Sequence, residues 1–413
     1  MRTGGMLREF SIRDTFISLK YPNYRLWFFG QLVSLVGTWT QSTAQSYLIY
    51  ELTKSPEYLG YVSFANGLPS FLFTLYAGAI ADRIPRRTLM VITQTSMLVL
   101  AFILAALTFT HTIQWWHILI LSFLLGISNA FDAPARQAFV LEMVDREDMT
   151  NAIALNSTMF NSAMVVGPAF GGLIYAWVGP GWCFTINGIS FIAVIISLLL
   201  MRLQPFTPPQ SKGDALSAVR DGMKYVMGHQ EVRTLIINLF VITVLGFGFL
   251  TLLPAWAVVV LGGDSKTFGF LQAARGVGSL IGALLVAAMG RIKFRGKVWT
   301  MGSLLLPILM VAFAYIHWLT PALLAMAAVG FASMMIVNVT NAMVQTRIAD
   351  EMRGRVMGIY TFFFFGAFPL GSLIAGWAAE RIGESITVVI SASLLLAFSV
   401  WVFWRQPTMR AME

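Results

Sequence analysis

Apolar residues fall in long runs, most of about 20 residues, the length a helix needs to cross the hydrocarbon core of a bilayer. The runs cover 24–50, 57–81, 88–110, 115–138, 150–178 and 181–201, then 232–260, 265–289, 298–317, 321–345, 355–379 and 385–404. This pattern predicts an all-α polytopic membrane protein with twelve transmembrane helices. The gap at 202–231 is the longest and opens with Pro205, Pro208 and Pro209. Within it Leu216, Val219, Met223 and Val226 recur at helical spacing opposite Arg220, Asp221 and Lys224. Such a segment reads as an amphipathic helix on the inner membrane surface. The chain therefore divides into 1–201, a linker at 202–231, and 232–413. A shorter amphipathic turn is expected over 12–19, through Ile12, Phe16 and Leu19.

The two parts repeat each other. An ungapped shift of 204 residues lays Gly78 on Gly282, Gly126 on Gly330, Gly167 on Gly371, Gly172 on Gly376 and Gly179 on Gly383. The same shift sets Val140 on Val344 and Glu147 on Glu351. Two pseudo-symmetric six-helix bundles follow, parallel and related by an axis along the membrane normal.

Composition agrees. The chain is 57% hydrophobic and 11% charged, against about 25% charge in a soluble domain. Its net charge of +9 follows from topology. Basic residues crowd the loops on one side, as at Arg83, Arg86, Arg87, Arg291, Lys293, Arg295 and Lys297, whereas only Lys54, Lys266 and Arg381 fall on the other. That bias places both termini in the cytoplasm and gives no reason to invoke nucleic acid. Trp115, Trp116, Trp182, Trp318 and Trp377 at one set of ends, and Trp27, Trp299 and Trp404 at the other, read as interfacial anchors. Cys183 is the sole cysteine, which excludes an intramolecular disulfide and suggests plain packing. The N-terminus lacks the apolar core of a signal peptide.

Polar residues inside the spans are the candidate chemistry. The first span carries Gln31, Ser34, Thr38, Gln41 and Gln45 on one face. The fourth carries Ser122, Asn129, Asp132 and Arg136, and the tenth Asn338, Asn341 and Gln345. These stripes either bond neighbouring helices or line a shared aqueous cavity; three of them favour the cavity. The seventh span offers only Asn238. Arg275 lies near the middle of the eighth, where a cation costs roughly 2.5–3.5 kcal/mol. It contacts either an anion or a structural hydrogen-bond hub. Asp132 is the one carboxylate well inside a span, and Arg136 lies a turn beyond it, as an i,i+4 pair that Arg86 could extend.

Gly78-x-x-x-Asp82-Arg83-x-x-Arg86-Arg87 closes the second span and opens the third. It resembles the signature loop of the major facilitator superfamily, with Pro85 where that family usually has glycine. Gly167-Pro168-x-x-Gly171-Gly172 in the fifth span resembles the family's exporter motif, with Ala163 in place of its first glycine. Asn129-Ala-Phe-Asp132-Ala-Pro134-Ala-Arg136 together with Arg353-Gly354-Arg355 resembles the branch of bacterial siderophore exporters and macrolide efflux pumps. The resemblance implies a central cavity lined by spans one, four, seven and ten. It also implies a latch between the halves formed by Asp82, Arg86 and Asp132, with Arg353 and Arg355 facing Asp82 across the inner side. Gly278 and Gly282 are expected to pack the eighth span against the fifth.

The implied function is secondary active export of a siderophore or amphipathic small molecule, by a monomer in the inner membrane of a bacterium. An importer of the same fold is the alternative. No cofactor is implied beyond a proton gradient. For that gradient the sequence offers Asp132 and no carboxylate in the middle of the first span. A polytopic enzyme is disfavoured, since His111, His117, His229 and His317 lack metal-ligand spacing and no nucleophile elbow or nucleotide-binding loop occurs.

Overall fold

The computed structural model describes residues 16–81, 83–140, 142–203, 215–289 and 294–410. The chain is all helix there. The first half comprises α1 (Pro22–Thr53), α2 (Pro56–Ala81), α3 (Arg86–Phe109), α4 (Trp115–Val140), α5 (Met149–Val178) and α6 (Pro180–Leu200). The linker contributes α7 (Ala215–Gly228). The second half holds α8 (Gln230–Val241), α9 (Leu253–Val259), α10 (Ser265–Met289), α11 (Arg295–Ala314), α12 (Leu319–Arg347), α13 (Arg353–Ile382) and α14 (Glu384–Arg405). Ten of the described spans pass on length and hydropathy together. α1 and α2, at 32 and 26 residues, are also long enough to cross.

The seventh span departs from the continuous helix expected over 232–260. It is α8 followed by a π turn at Ile242–Phe247, a 3-10 turn at Gly248–Leu252, and α9. Gly248 there meets the backbone of Gly371 on α13, and Pro254 opens α9. A π turn shifts the ladder by one residue and lets the segment reseat against its neighbours.

The apolar cores follow the halves, except that Ala255 and Val258 of α9 pack into a cluster of the first half. One cluster gathers Leu235, Leu252, Trp256, Phe268, Leu306, Met326, Leu395 and their neighbours in the second half. In the first, Tyr24, Trp27, Met90, Phe139 and Leu198 form one cluster, and Leu48, Ile49, Leu104, Ile118 and Phe184 another. Trp27 and Trp299 belong to these cores, at 1% and 2% exposure, so they are not the interfacial anchors expected from their positions. Trp299 donates to Thr340 Oγ1 at 3.0 Å, which ties α11 to α12. The remaining tryptophans at span ends are exposed, Trp404 the most at 76%.

Repeat-related glycines do repeat-related jobs. A Cβ on Gly167 would press on Trp39 and Val36 of α1, and one on Gly371 would press on Val244 of the seventh span. Gly126 lies on the Asn66 carbonyl of α2, and Gly330 on the Arg275 carbonyl of α10. Gly172 lies on Ser265 and Gly269 of α10, while Gly376 lies on Pro56 and Gly60 of α2. The internal repeat of the sequence is thus visible as one contact scheme used twice.

The linker helix docks on the second half. Gly222 lets α7 approach Ile359 and the Arg355 carbonyl, Arg355 pairs with Asp221 at 3.2 Å, and Tyr225 OH accepts from the Ala349 amide. At the other end of the chain, the turn expected over 12–19 is a 3-10 turn at Ile17–Lys20, with residues to 15 outside the described ones. Lys20 pairs with Asp148 at 2.6 Å and Tyr21 donates to Asp145 and Asp148. The Lys20 bond holds the Asp148 carboxyl below the usual carboxylate range. Just before the π turn, Asn238 of α8 faces α11 and α14. It is fully buried, and neither of its amide atoms bonds to a protein group, as also for Ser303 Oγ and Ser399 Oγ. The three line a cavity of about 10 Å³ between α8, α11 and α14, with room for about one water molecule.

Glycines in close contact and glycines in open space should respond oppositely to a methyl group. Gly278→Ala drives its Cβ into the Ala327 carbonyl and is expected to cost roughly 1–3 kcal/mol, a fall of several degrees in detergent melting temperature. Gly358→Ala, with nothing within 4 Å of its Cβ, should hold or raise the melting temperature, because alanine is the better helix former.

Candidate functional site: the cleft between the halves

The halves touch chiefly along two helix pairs, α2 with α13 and α5 with α10, with smaller contacts of α1 on α9 and α10. On α13 the contact face runs through Gly376, Ser372 and Pro369, which meet Pro56, Gly60 and Gly67 of α2. Phe71 stacks on Phe362 at 4.6 Å just beyond. Continued at helical spacing, the same face reaches Phe365, Gly358 and Gly354. There the contact ends: Phe365 is 59% exposed, and a Cβ at Gly358 or Gly354 would meet nothing within 4 Å. The second pair repeats this. Gly172, Pro168 and Met164 of α5 meet Ser265, Gly269 and Gly276 of α10, after which Ser157 and Ala154 on α5, and Ala287 on α10, are exposed. The halves are closed at the end bearing Lys54 and parted at the end bearing Arg83.

Polar bonds reinforce the closed end. Ser55 Oγ donates to Glu380 Oε2 at 2.5 Å, and Glu57 lies 3.9 Å from Arg381. Ser265 Oγ donates to the Gly172 carbonyl at 3.1 Å, joining α10 to α5.

The exporter-motif residues divide between two partners. Gly167 and Gly171 pack on α1, against Val36, Trp39, Thr40 and Thr43, and Thr40 Oγ1 donates to the Gly167 carbonyl at 3.2 Å. Pro168 and Gly172 alone of the four face α10. Contrary to the expectation from the sequence, Gly278 and Gly282 do not supply the other side. They pack on Ala327 and Phe331 of α12, one third of a turn or more away from Gly276. Gly269 and Gly276 take that place, and their spacing of two helical turns marks them as one face of a helix.

The polar stripe of α1 is partly consumed by structure. Gln41 Oε1 accepts from Asn187 of α6 at 2.8 Å, and Gln45 donates to Ser122 Oγ of α4 at 2.8 Å. Gln31 is buried with its carbonyl oxygen unpartnered. Thr38 is half-buried and Ser42, a turn on, is exposed. On α4 Asn129 is half-buried; on α12 Asn338 and Asn341 are half-buried, and the exposed Gln345 donates to Asn341 at 2.5 Å.

The charged network differs from the expected latch. Asp82 lies outside the described residues, and Gly78 falls inside α2. Arg86 forms its ion pair with Glu142 and not with Asp132. Asp132, 2% exposed, accepts from Thr93 Oγ1 at 2.9 Å and Gln94 Nε2 at 3.0 Å, with Arg136 Nε 3.7 Å away. Its role is to bind α3 to α4 inside one half. Glu142 lies one turn past the apolar run of α4, where no burial cost marks a carboxylate in the sequence. Thr93 and Gln94 are the missed members; a Thr-Gln pair in the middle of an apolar run was the available signal. Arg87 caps α6 through the Leu199 and Met201 carbonyls at 2.7 and 3.3 Å, a cation at a helix C-terminus. Arg83 is exposed, Arg353 pairs with Asp350 at 2.5 Å, and Arg355 holds the linker helix.

Arg275 is the exception among the intramembrane charges. It is half-buried, its one hydrogen-bond partner among the described residues is Gln272 Oε1 at 3.1 Å, and no described carboxylate reaches it. Val277, Ile281 and Leu284, at 42%, 54% and 60% exposure, mark the opposite, lipid-facing side of α10.

Two repeated helical bundles, joined by paired helices at one end and parted at the other, define a transporter of the major facilitator type. The chain belongs to the transmembrane secretion effector family, whose profile matches residues 14–413. It is 28% identical to the staphyloferrin A transporter of Staphylococcus aureus, over 87% of this chain and 90% of that protein. It is 26% identical to the multidrug efflux pump Tap of Mycolicibacterium fortuitum, over 91% and 94%. Macrolide efflux protein A of Streptococcus pyogenes is 23% identical over 92% and 96%. Among solved structures the fold is shared with the nucleoside transporter NupG, with a TM-score of 0.71 and 13% identity over 92% of this chain and 98% of that one. It is also shared with a bacterial homologue of the lysosomal transporter spinster, at 0.72 and 12% over 98% and 99%.

Removing the Asp132 carboxylate strands Gln94 and Arg136 together, while Thr93 keeps the Met90 carbonyl as an acceptor. Asp132→Leu should cost roughly 3–5 kcal/mol, the usual loss when one partner of a buried pair is deleted. Asp132→Asn, which keeps an acceptor for Thr93, should lose less than half of that in detergent melting experiments.

Proposed function

We propose that this transporter is a secondary active exporter of a siderophore or an amphipathic small molecule, working by alternating access. One observation carries the alternating step: the α2–α13 and α5–α10 faces are packed at one end and bare at the other. A rocking of the halves can bring the bare Gly354–Gly358 stretch against the Gly78 end of α2 while separating Gly376 from Gly60. The basic loops at the Arg83 end support assigning that end, and both termini, to the cytoplasmic side of a bacterial inner membrane. The described state then opens inward. The cargo class comes from the family and from the relatives' names, since siderophore and drug efflux are what those proteins are named for. Residues 1–201 and 232–413 act as the two moving bodies, and the docked α7 moves with the second. Drive by the proton gradient is compatible with this architecture. Asp132 accepts from Thr93 and Gln94 and pairs with Arg136, all in its own half, which suits it to a structural role.

Two measurements test this. In iron-poor medium, loss of the gene should raise one siderophore in the cytoplasm and deplete it outside. Accumulation in the opposite sense would replace export with import. Cysteines at Ser55 and Glu380, in a Cys183→Ser background, should be bridged by a short bifunctional thiol reagent. That bridge is expected to stop transport, and full flux through the bridged protein would refute alternating access.

A further inference from the structure

We infer that the apex of the cleft is built for an organic anion. Arg275 receives the carboxylate or similar anionic oxygens of the cargo, and Phe365 covers its apolar body. The inference deepens the export reading above, taking direction from it and chemistry from the cleft alone.

The apex is the level at which each helix pair parts. On one side the last contact is Gly276 on Met164, and Arg275 is the next residue up the chain. On the other side the last contacts are Pro369 on Gly67 and Phe362 on Phe71, and Phe365 lies one turn below Pro369 on the same face. At 1.5 Å per residue, Arg275 is about 15 Å from the Ser265 end of α10, deep in the span. A cation at that depth is costly unless something answers it.

Nothing in the described protein does. Gln272 is three residues back on the same helix, so its bond to Arg275 joins no two helices and makes no structural hub. The other intramembrane cation, Arg136, has Asp132 as its counter-charge. Arg275 points to the side of α10 away from lipid and is partly open to the space between the halves. A guanidinium presents its donors in a planar fork that suits a carboxylate or phosphate-like group. On the α13 side of the cleft the free surface is aromatic: Phe362, Phe363 and Phe364 are packed against Phe71, Phe240 and Phe247, which leaves Phe365 exposed on the face that parts from α2. A cation and one open aromatic face at the apex select an anion carried on an apolar body.

The test uses the full-length protein in detergent with two probes, 1-pyrenebutyrate and its neutral amide, read by energy transfer from tryptophan. Wild type should bind the acid at least about tenfold more tightly than the amide, the least expected of a hydrogen bond to a charged group. Arg275→Gln should erase that preference and leave amide affinity unchanged, while Arg275→Lys should keep part of it. Phe365→Ala should weaken both probes by a similar factor. Unchanged amide binding certifies the fold of each Arg275 variant. Equal binding of acid and amide by wild type, a preference that survives Arg275→Gln, or binding of neither probe would overturn the proposal. These outcomes are independent of the thiol-bridging experiment, whose failure would remove alternating access and leave the charge preference standing.

Discussion

The contact between the halves is backbone against backbone, made possible by small residues on both faces. In lipid there is no hydrophobic force between helices, so association rests on van der Waals contact and a few hydrogen bonds. Gly172 with Gly269, and Gly376 with Gly60, bring main chains together without interlocked side chains. At these glycines the contact forms closely and also separates easily, because no side chain has to leave a pocket. Within each half the opposite holds. Buried Trp256, Phe313, Trp27 and Tyr24 interdigitate and keep each bundle rigid. Mobility is therefore confined to the seam.

The charges obey the same division. Asp132 with Arg136, Arg86 with Glu142 and Arg87 with the end of α6 all lie within one half. Arg355 with Asp221 fixes the linker helix to the other. Across the seam the polar contacts are Ser55 with Glu380, Glu57 with Arg381 and Ser265 with Gly172, all at the closed end. Exposed pairs of this kind contribute little to stability, which suits a contact that must be broken in every cycle.

Much of the architecture was legible because lipid permits so few solutions. Unbroken apolar runs could only be helices, and the internal repeat could only reflect two related bundles. The contacts made by particular glycines were not legible. Gly278 stands just past Gly276 in the chain, yet the rotation between them carries one to α12 and the other to α5. The fate of the glutamines was hidden for a similar reason. A stripe names a face of α1, but only packing shows that Asn187 and Ser122 meet Gln41 and Gln45. The Asp132 partners were hidden because they stand on a different span, Thr93 and Gln94 both belonging to α3. Arg275 was legible from cost alone, because a charge deep in an apolar run demands a reason.

That cost also explains where the charge is placed. A cation facing lipid would be expelled, and one inside a bundle would need a permanent counter-ion, as Arg136 has. Only at the apex of the cleft can a guanidinium be partly hydrated in one state and require a partner as the cleft closes around it. Closure without an anion would bury the charge unpaired, which is the expensive outcome. On the inference that the cargo is an anion, its binding would remove that penalty, and the unmatched charge would favour movement of the loaded transporter over the empty one. The same residue would then serve both selection of the cargo and coupling of its binding to the rocking of the halves.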